Sequence, residues 1–244
     1  MIYFSAEYGR TQFIIKEEIM KLIISLASCL MLGAVLVTGC SGSAKSFAQT
    51  GSQVESDQPG QDVNELKITA EGAPVEVRLS DTGQYRYEYD KDKYTVTTAE
   101  NGPVFEIKVA EITSGADTGE SSSVVISIPN QSYRLITGIS EGSSLVLPAV
   151  NANMNVTGSA SSVAVSLPPD YDKTINYTGN ASSCSLSLNG VTDFTVTAKI
   201  SASAVSVPDS WPACDMLSPS YSHSSGNGTA AIHIDVANSS FAFD

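Results

Sequence analysis

The chain is poor in the residues that do most protein chemistry. Its 244 residues include two histidines, four cysteines and one tryptophan, and 13 Lys and Arg stand against 26 Asp and Glu. The cysteines, Cys29, Cys40, Cys184 and Cys214, form no C-x-x-C pair and keep no ligand-like spacing to His223 or His233. A zinc site and a redox motif are therefore not expected. The shortage of base removes nucleic acid as a partner, because no basic stripe exists to displace counterions from phosphates. No G-x-S-x-G, glycine-rich phosphate loop or H-E-x-x-H occurs, so no catalytic residue, metal or cofactor is assigned, and the chain is read as a non-enzyme. A sustained helical face is also missing beyond the first 40 residues.

Long apolar runs are scarce too. The longest, Leu22 to Val37, has 16 residues interrupted by Ser25 and Ser28. That is short of the roughly 20 a spanning helix needs and suits the apolar region of a signal peptide behind Lys21. Val37-Thr38-Gly39-Cys40 at its end resembles the lipobox of bacterial lipoproteins. The resemblance implies cleavage after Gly39, a lipid on the sulfur of Cys40, and a protein anchored on the extracytoplasmic face of a bacterial membrane. Residues 1–19 fit neither a leader nor a domain. Lys16-Glu17-Glu18 is encodable as AAGGAGGA, a ribosome-binding sequence, so translation is expected to start at Met20.

Up to Gly39 the chain holds three basic residues (Arg10, Lys16, Lys21) and three acidic ones (Glu7, Glu17, Glu18), so the whole excess of 13 negative charges belongs to residues 40–244. The divisions expected are an upstream extension, 1–19; a signal peptide, 20–39; a lipidated flexible tether, 40–62, rich in Ser, Gln and Gly; and one folded body, 63–244.

The body alternates with period two, as in "PVEVRLS", "YRYEYD", "VFEIKVAE", "VVISIP" and "IHIDVAN", which reads as strands. "YRYEYDKDKYTVTT" suggests a hairpin turning at Asp90 to Asp92. Ile128, Leu147, Leu167, Leu188 and Val207 recur at spacings of 19, 20, 21 and 19, and Thr137, Thr157, Thr178 and Thr197 at 20, 21 and 19. Two strands per period of about 20 residues point to a solenoid. The fold expected is an all-β, single-stranded right-handed parallel β-helix, with room for an antiparallel N-terminal portion; the alternative is an antiparallel β-sandwich.

"GAPVEVRLSDTGQYRYEY", "VVISIPN", the "NVTG…SSVAVSLP" coils and "GNGTAAIHIDVANSSFAF" together resemble the putative-adhesin family of bacterial surface proteins, a domain of unknown function. The resemblance spans Leu66 to Asp244 and implies a parallel β-helix at the cell surface. The departure from it is Asp209 to Ser225, "DSWPACDMLSPSYSHSS", where one coil gives way to a loop.

Two further function classes compete with a non-catalytic adhesin or envelope interaction module: a polysaccharide-cleaving β-helix enzyme and an envelope-stress sensor. Asp170 and Asp172 in "PPDYDK" are the nearest paired carboxylates, but consecutive residues in a Pro-rich turn usually face water. "YDKDK" lacks the ligand spacing of a calcium loop. Cys184 falls in an inward column, and pairing with Cys214 stays open. Beyond the membrane reached through the lipid, the partners expected are a cell-wall glycan, a host glycan or another envelope protein. The contact loop is placed at Trp211, Tyr221 and His223, because loops on rigid scaffolds carry function; the competing role for Trp211 is to cap the end of the core.

Overall fold

This computed structural model describes residues 52–112, 122–215 and 218–244. Cys40 and Gly39 lie outside them, as do the proposed leader and the first part of the tether.

The strands are β1 (Ser52–Asp57), β2 (Glu65–Glu71), β3 (Val75–Ser80), β4 (Tyr85–Asp90), β5 (Tyr94–Asn101), β6 (Val104–Glu111), β7 (Val124–Pro129), β8 (Leu135–Glu141), β9 (Ser144–Leu147), β10 (Asn153–Ser159), β11 (Ser162–Ser166), β12 (Thr174–Asn180), β13 (Ser183–Ser187), β14 (Phe194–Ser201), β15 (Ala204–Ser206), β16 (Ser220–Ser225), β17 (Ala230–Ala237) and β18 (Ser240–Phe243). They form two nine-stranded sheets, ordered β1-β4-β7-β3-β9-β11-β13-β18-β15 and β16-β14-β17-β12-β10-β8-β2-β6-β5. Alternate residues from each sheet fill the space between them, including Ile68, Ile107, Ile126, Leu145, Met154, Ile175 and Leu186. Isoleucine, valine and tyrosine dominate this face because branched and aromatic side chains pack well on a pleated surface.

The expected single-stranded parallel β-helix is corrected by this order. In such a helix each coil stacks on the next in sequence. Here β2 and β3 insert between strands from later in the chain, and β17 and β18 insert between β12/β13 and β14/β15. Antiparallel pairs close both ends: β1 with β4, β4 with β7, β5 with β6 and β14 with β16. The result is a sandwich-like pair of mixed sheets. It has the layers of the alternative reading, with parallel pairing retained in the middle.

Six tight corners pass the chain from one sheet to the other. Gly72, Gly142, Ala160, Ala181, Ala202 and Asn238 occupy them, all at positive φ, between 46° and 65°. The corners stack through backbone bonds, as where Ala160 donates to Asn180 O and Ala181 to Ala237 O, both at 3.0 Å. That bonding holds Ala160 and Ala181 in a region that costs an L-residue about 1 kcal/mol or more.

The repeat columns are correct in the middle and slipped at the flanks. Thr157 pairs with Thr178 and Val165 with Leu186, as their spacing of 21 requires. Leu147, however, pairs with Val165 rather than Leu167, Thr137 with Asn155, and Ile128 with Leu79. The Asp90 to Asp92 hairpin is likewise corrected. Its turn is tight, with Lys93 N donating to Asp90 O at 3.1 Å, but β4 and β5 enter different sheets. The first described part of the expected tether is also a strand: β1 pairs with β4 from Ser52↔Asp90 to Asp57↔Tyr85.

Candidate functional site at the β15/β16 end

The strand order separates two ends of the molecule. The chain enters the described body at β1, on one edge; the other end is bounded by β15 and β16. With nine strands in a sheet and about 4.8 Å between neighbours, the ends are roughly 38 Å apart.

At the β15/β16 end, residues 207–215 and strand β16 bring the three expected contact residues together. The Trp211 ring lies 4.5 Å from His223, 5.1 Å from Phe194 and 4.9 Å from Phe243, centroid to centroid. Tyr221 and His223 alternate along β16 on its inward side, opposite Ala198 and Val196 of β14. The Tyr221 hydroxyl donates to Pro212 O at 3.0 Å and ties the loop to the strand. All three side chains are half-buried. Trp211 therefore closes the core as an end cap, while the cluster keeps an outer rim in contact with solvent. Sequence reading missed Phe194 and Phe243 as its partners. Their signal was only alternation, which marks a face and not a neighbour.

The other candidates disperse. Asp170 and Asp172 sit in the 168–173 turn, where Asn151 Nδ2 donates to Asp170 O at 3.2 Å and Asn151 Oδ1 accepts from Asp172 N at 3.4 Å. The ammonium of Lys173, 2.9 Å away, leads in holding the Asp172 carboxyl below its usual range. A general acid needs the opposite shift. His233 faces outward, its Nδ1 2.7 Å from Thr197 Oγ1. Cys184 and Cys214 are both free. Cys184 is buried in β13, two strands from β15, after which the loop bearing Cys214 begins. Burial pushes the Cys184 thiol well above its usual range. Among the described residues no group of three or more His, Cys, Asp or Glu is placed to hold a metal, and no helix is long and apolar enough to cross a membrane. A gap in the core lined by Val165, Ile175, Tyr177, Cys184 and Phe241 is too small to hold a water molecule.

The outward face of the second sheet carries an in-register polar ladder. Thr137, Asn155, Asn176, His233 and Thr197 stand side by side on β8, β10, β12, β17 and β14. Asn176 Nδ2 donates to Asn155 Oδ1 at 2.9 Å.

Among solved structures, a putative cell adhesion protein from Clostridium sporogenes is similar to this chain with a TM-score of 0.58 at 13% sequence identity, over 79% of this chain and 97% of that one. A putative adhesin from Bacteroides fragilis is similar at 7% identity and a TM-score of 0.34, over 80% and 98%. A putative lipid binding protein from Parabacteroides distasonis is similar at 13% and 0.33, over 80% and 97%. The first likeness shows the fold; the other two scores are too low to bear on the argument. No family model and no curated protein matches the sequence.

Proposed function

We propose that the chain is a non-catalytic interaction module of the adhesin type, displayed on the outer face of a bacterial membrane by a lipid on Cys40. The observation that carries this reading is the separation of the two ends. Connectivity brings the polypeptide into the body at β1, while the aromatic-capped segment 207–215 follows β15 at the opposite end. A body anchored upstream of β1 presents that far end, and its long flat faces, to the surroundings. With β1 folded, 11 residues lie between Cys40 and Ser52.

The test is display and binding together. Cells producing the chain should incorporate a labelled fatty acid into it, and Cys40→Ala should remove both the label and retention at the surface. Beads coated with the purified chain should bind cells or cell-wall preparations without shortening their glycans. An equally labelled Cys40→Ala would defeat the anchor, and glycan shortening would establish the polysaccharide-cleaving enzyme instead.

A further inference from the structure

We propose that the outward face of β10 and β12 is a docking panel for an uncharged, extended, polyhydroxylated chain, that is, a neutral polysaccharide. The proposal rests on the interaction-module reading and names the surface and the class of partner.

The panel is defined by register. Asn155 stands beside Asn176 and Thr157 beside Thr178, and the flanking Asn153 and Thr174 are joined by a bond from Thr174 N to Asn153 Oδ1 of 3.2 Å. Asn155, Asn176, Thr157 and Thr178 are all exposed. Hydroxyls and amides thus form a grid with about 4.8 Å across strands and about 6.7 Å along them.

Three features separate this panel from an ordinary solvated face. It is free of charge in a protein of net charge −13, whereas about 25–35% of an ordinary soluble surface is Lys, Arg, Glu or Asp. Farther along the sheet charges are paired, Lys67 with Glu106 at 2.6 Å, Lys108 with Glu71 at 2.7 Å, and Arg134, just before β8, with Glu65, and the charges that flank the panel itself are both acidic, Asp235 of β17 beside Thr178 and Glu141 of β8 beside Ser159. An uncharged partner meets no repulsion from these carboxylates, whereas an anionic one would. The side chains are also short, two of them β-branched threonines with restricted χ1, and the Asn155–Asn176 bond orders the amides in advance. Little rotamer freedom is left to lose on binding. That bond uses one donor and one acceptor, leaving an N–H on Asn176 and the whole amino group of Asn155 to meet sugar hydroxyls. Trp211 and its neighbours offer no comparable open surface, since their rings are spent on one another.

The experiment is co-sedimentation of the purified full chain with curdlan, cellulose and chitin, with immobilised polygalacturonate as the charged control. Wild type should be retained by at least one neutral polymer. Asn155→Lys/Thr178→Lys should bind at least tenfold more weakly with an unchanged melting temperature, and Trp211→Ala should bind as wild type does. Should the lysine pair disturb folding, Asn155→Ala/Asn176→Ala must show a loss in the same direction. Retention that survives panel substitution and fails in Trp211→Ala overturns the panel while leaving the module reading intact. Retention only on polygalacturonate, or on no polymer, overturns it too, and bead binding to cells then judges the module reading separately. A dimer that dissociates on panel substitution assigns the face to a second copy of the chain and also overturns the proposal.

Discussion

Gly179 shows how much of the repeat is dictated by single atoms. It follows Thr178 in the Thr-Gly pair that recurs at Thr157-Gly158, and it faces inward beneath Tyr177. A Cβ there would lie 2.8 Å from both Ser182 Oγ and Tyr177 Cε1. The Tyr177 hydroxyl is 2.9 Å from Ser182 Oγ, so neither group can move without breaking a buried hydrogen bond. Overpacking of this kind costs about 2 kcal/mol. Gly179→Ala should therefore lower stability by about that amount in guanidinium unfolding, and an unchanged midpoint would show that the Tyr177–Ser182 pair is not fixed. At both Thr157-Gly158 and Thr178-Gly179 the glycine thus leaves room for the Tyr177 side chain.

At the level of elements, the sequence disclosed faces better than neighbours. Alternation correctly put Cys184 in an inward column, since period two is a local property of a strand. Register is not local. A slip of two residues leaves every side chain on its own face, so Leu147 could pair with Val165 instead of Leu167 without any trace in the pattern. Insertion of β17 and β18 depends on an edge left open far earlier in the chain and was equally invisible. The aromatic end was legible as a departure, through the lone tryptophan, but Phe194 and Phe243 became its neighbours only through pairing. Strand β1 was missed for a different reason: it hides almost nothing apolar. Val54 is 55% exposed, and the half-buried positions are Gln53, Glu55 and Asp57. What holds the strand is six backbone pairs and a 3.2 Å bond from the Tyr87 hydroxyl to Asp57. Such an edge opens readily. In hydrogen exchange, β1 amides should be replaced at least 100-fold faster than those of β10 and β12. Equal protection would mean that β1 is part of the cooperative core.

For the molecule as a whole, the tyrosines decide how the fold responds to alkali. Tyr87 and Tyr133 lie toward the β1 end, Tyr171 and Tyr177 in the middle, and all four are buried. Their hydroxyls are bonded: Tyr133 to Pro129 O at 3.0 Å, Tyr171 to Ala152 O at 3.1 Å, Tyr87 to Asp57 and Tyr177 to Ser182. Burial, the largest cause for each, raises all four well above the ordinary tyrosine value, and the carboxylate of Asp57 adds to the rise at Tyr87. A group whose folded-state pKa is raised stabilises the fold below its unfolded pKa and loses that contribution as pH climbs through the interval between the two. The unfolded value is about 10, so stability should be level to about pH 9 and then fall, by up to about 1.4 kcal/mol per pH unit for each buried tyrosine. Four such groups together exceed a typical stability margin within about two pH units. Guanidinium midpoints taken from pH 8 to 11 should drop steeply above pH 10. The tyrosinate absorbance should rise late and together with the loss of the sheet signal, because none of the eight described tyrosines is exposed. A single smooth rise with the sheets intact would mean that water reaches these hydroxyls in the folded state, and that the interior between the two sheets is not the closed core from which both faces of the molecule take their rigidity.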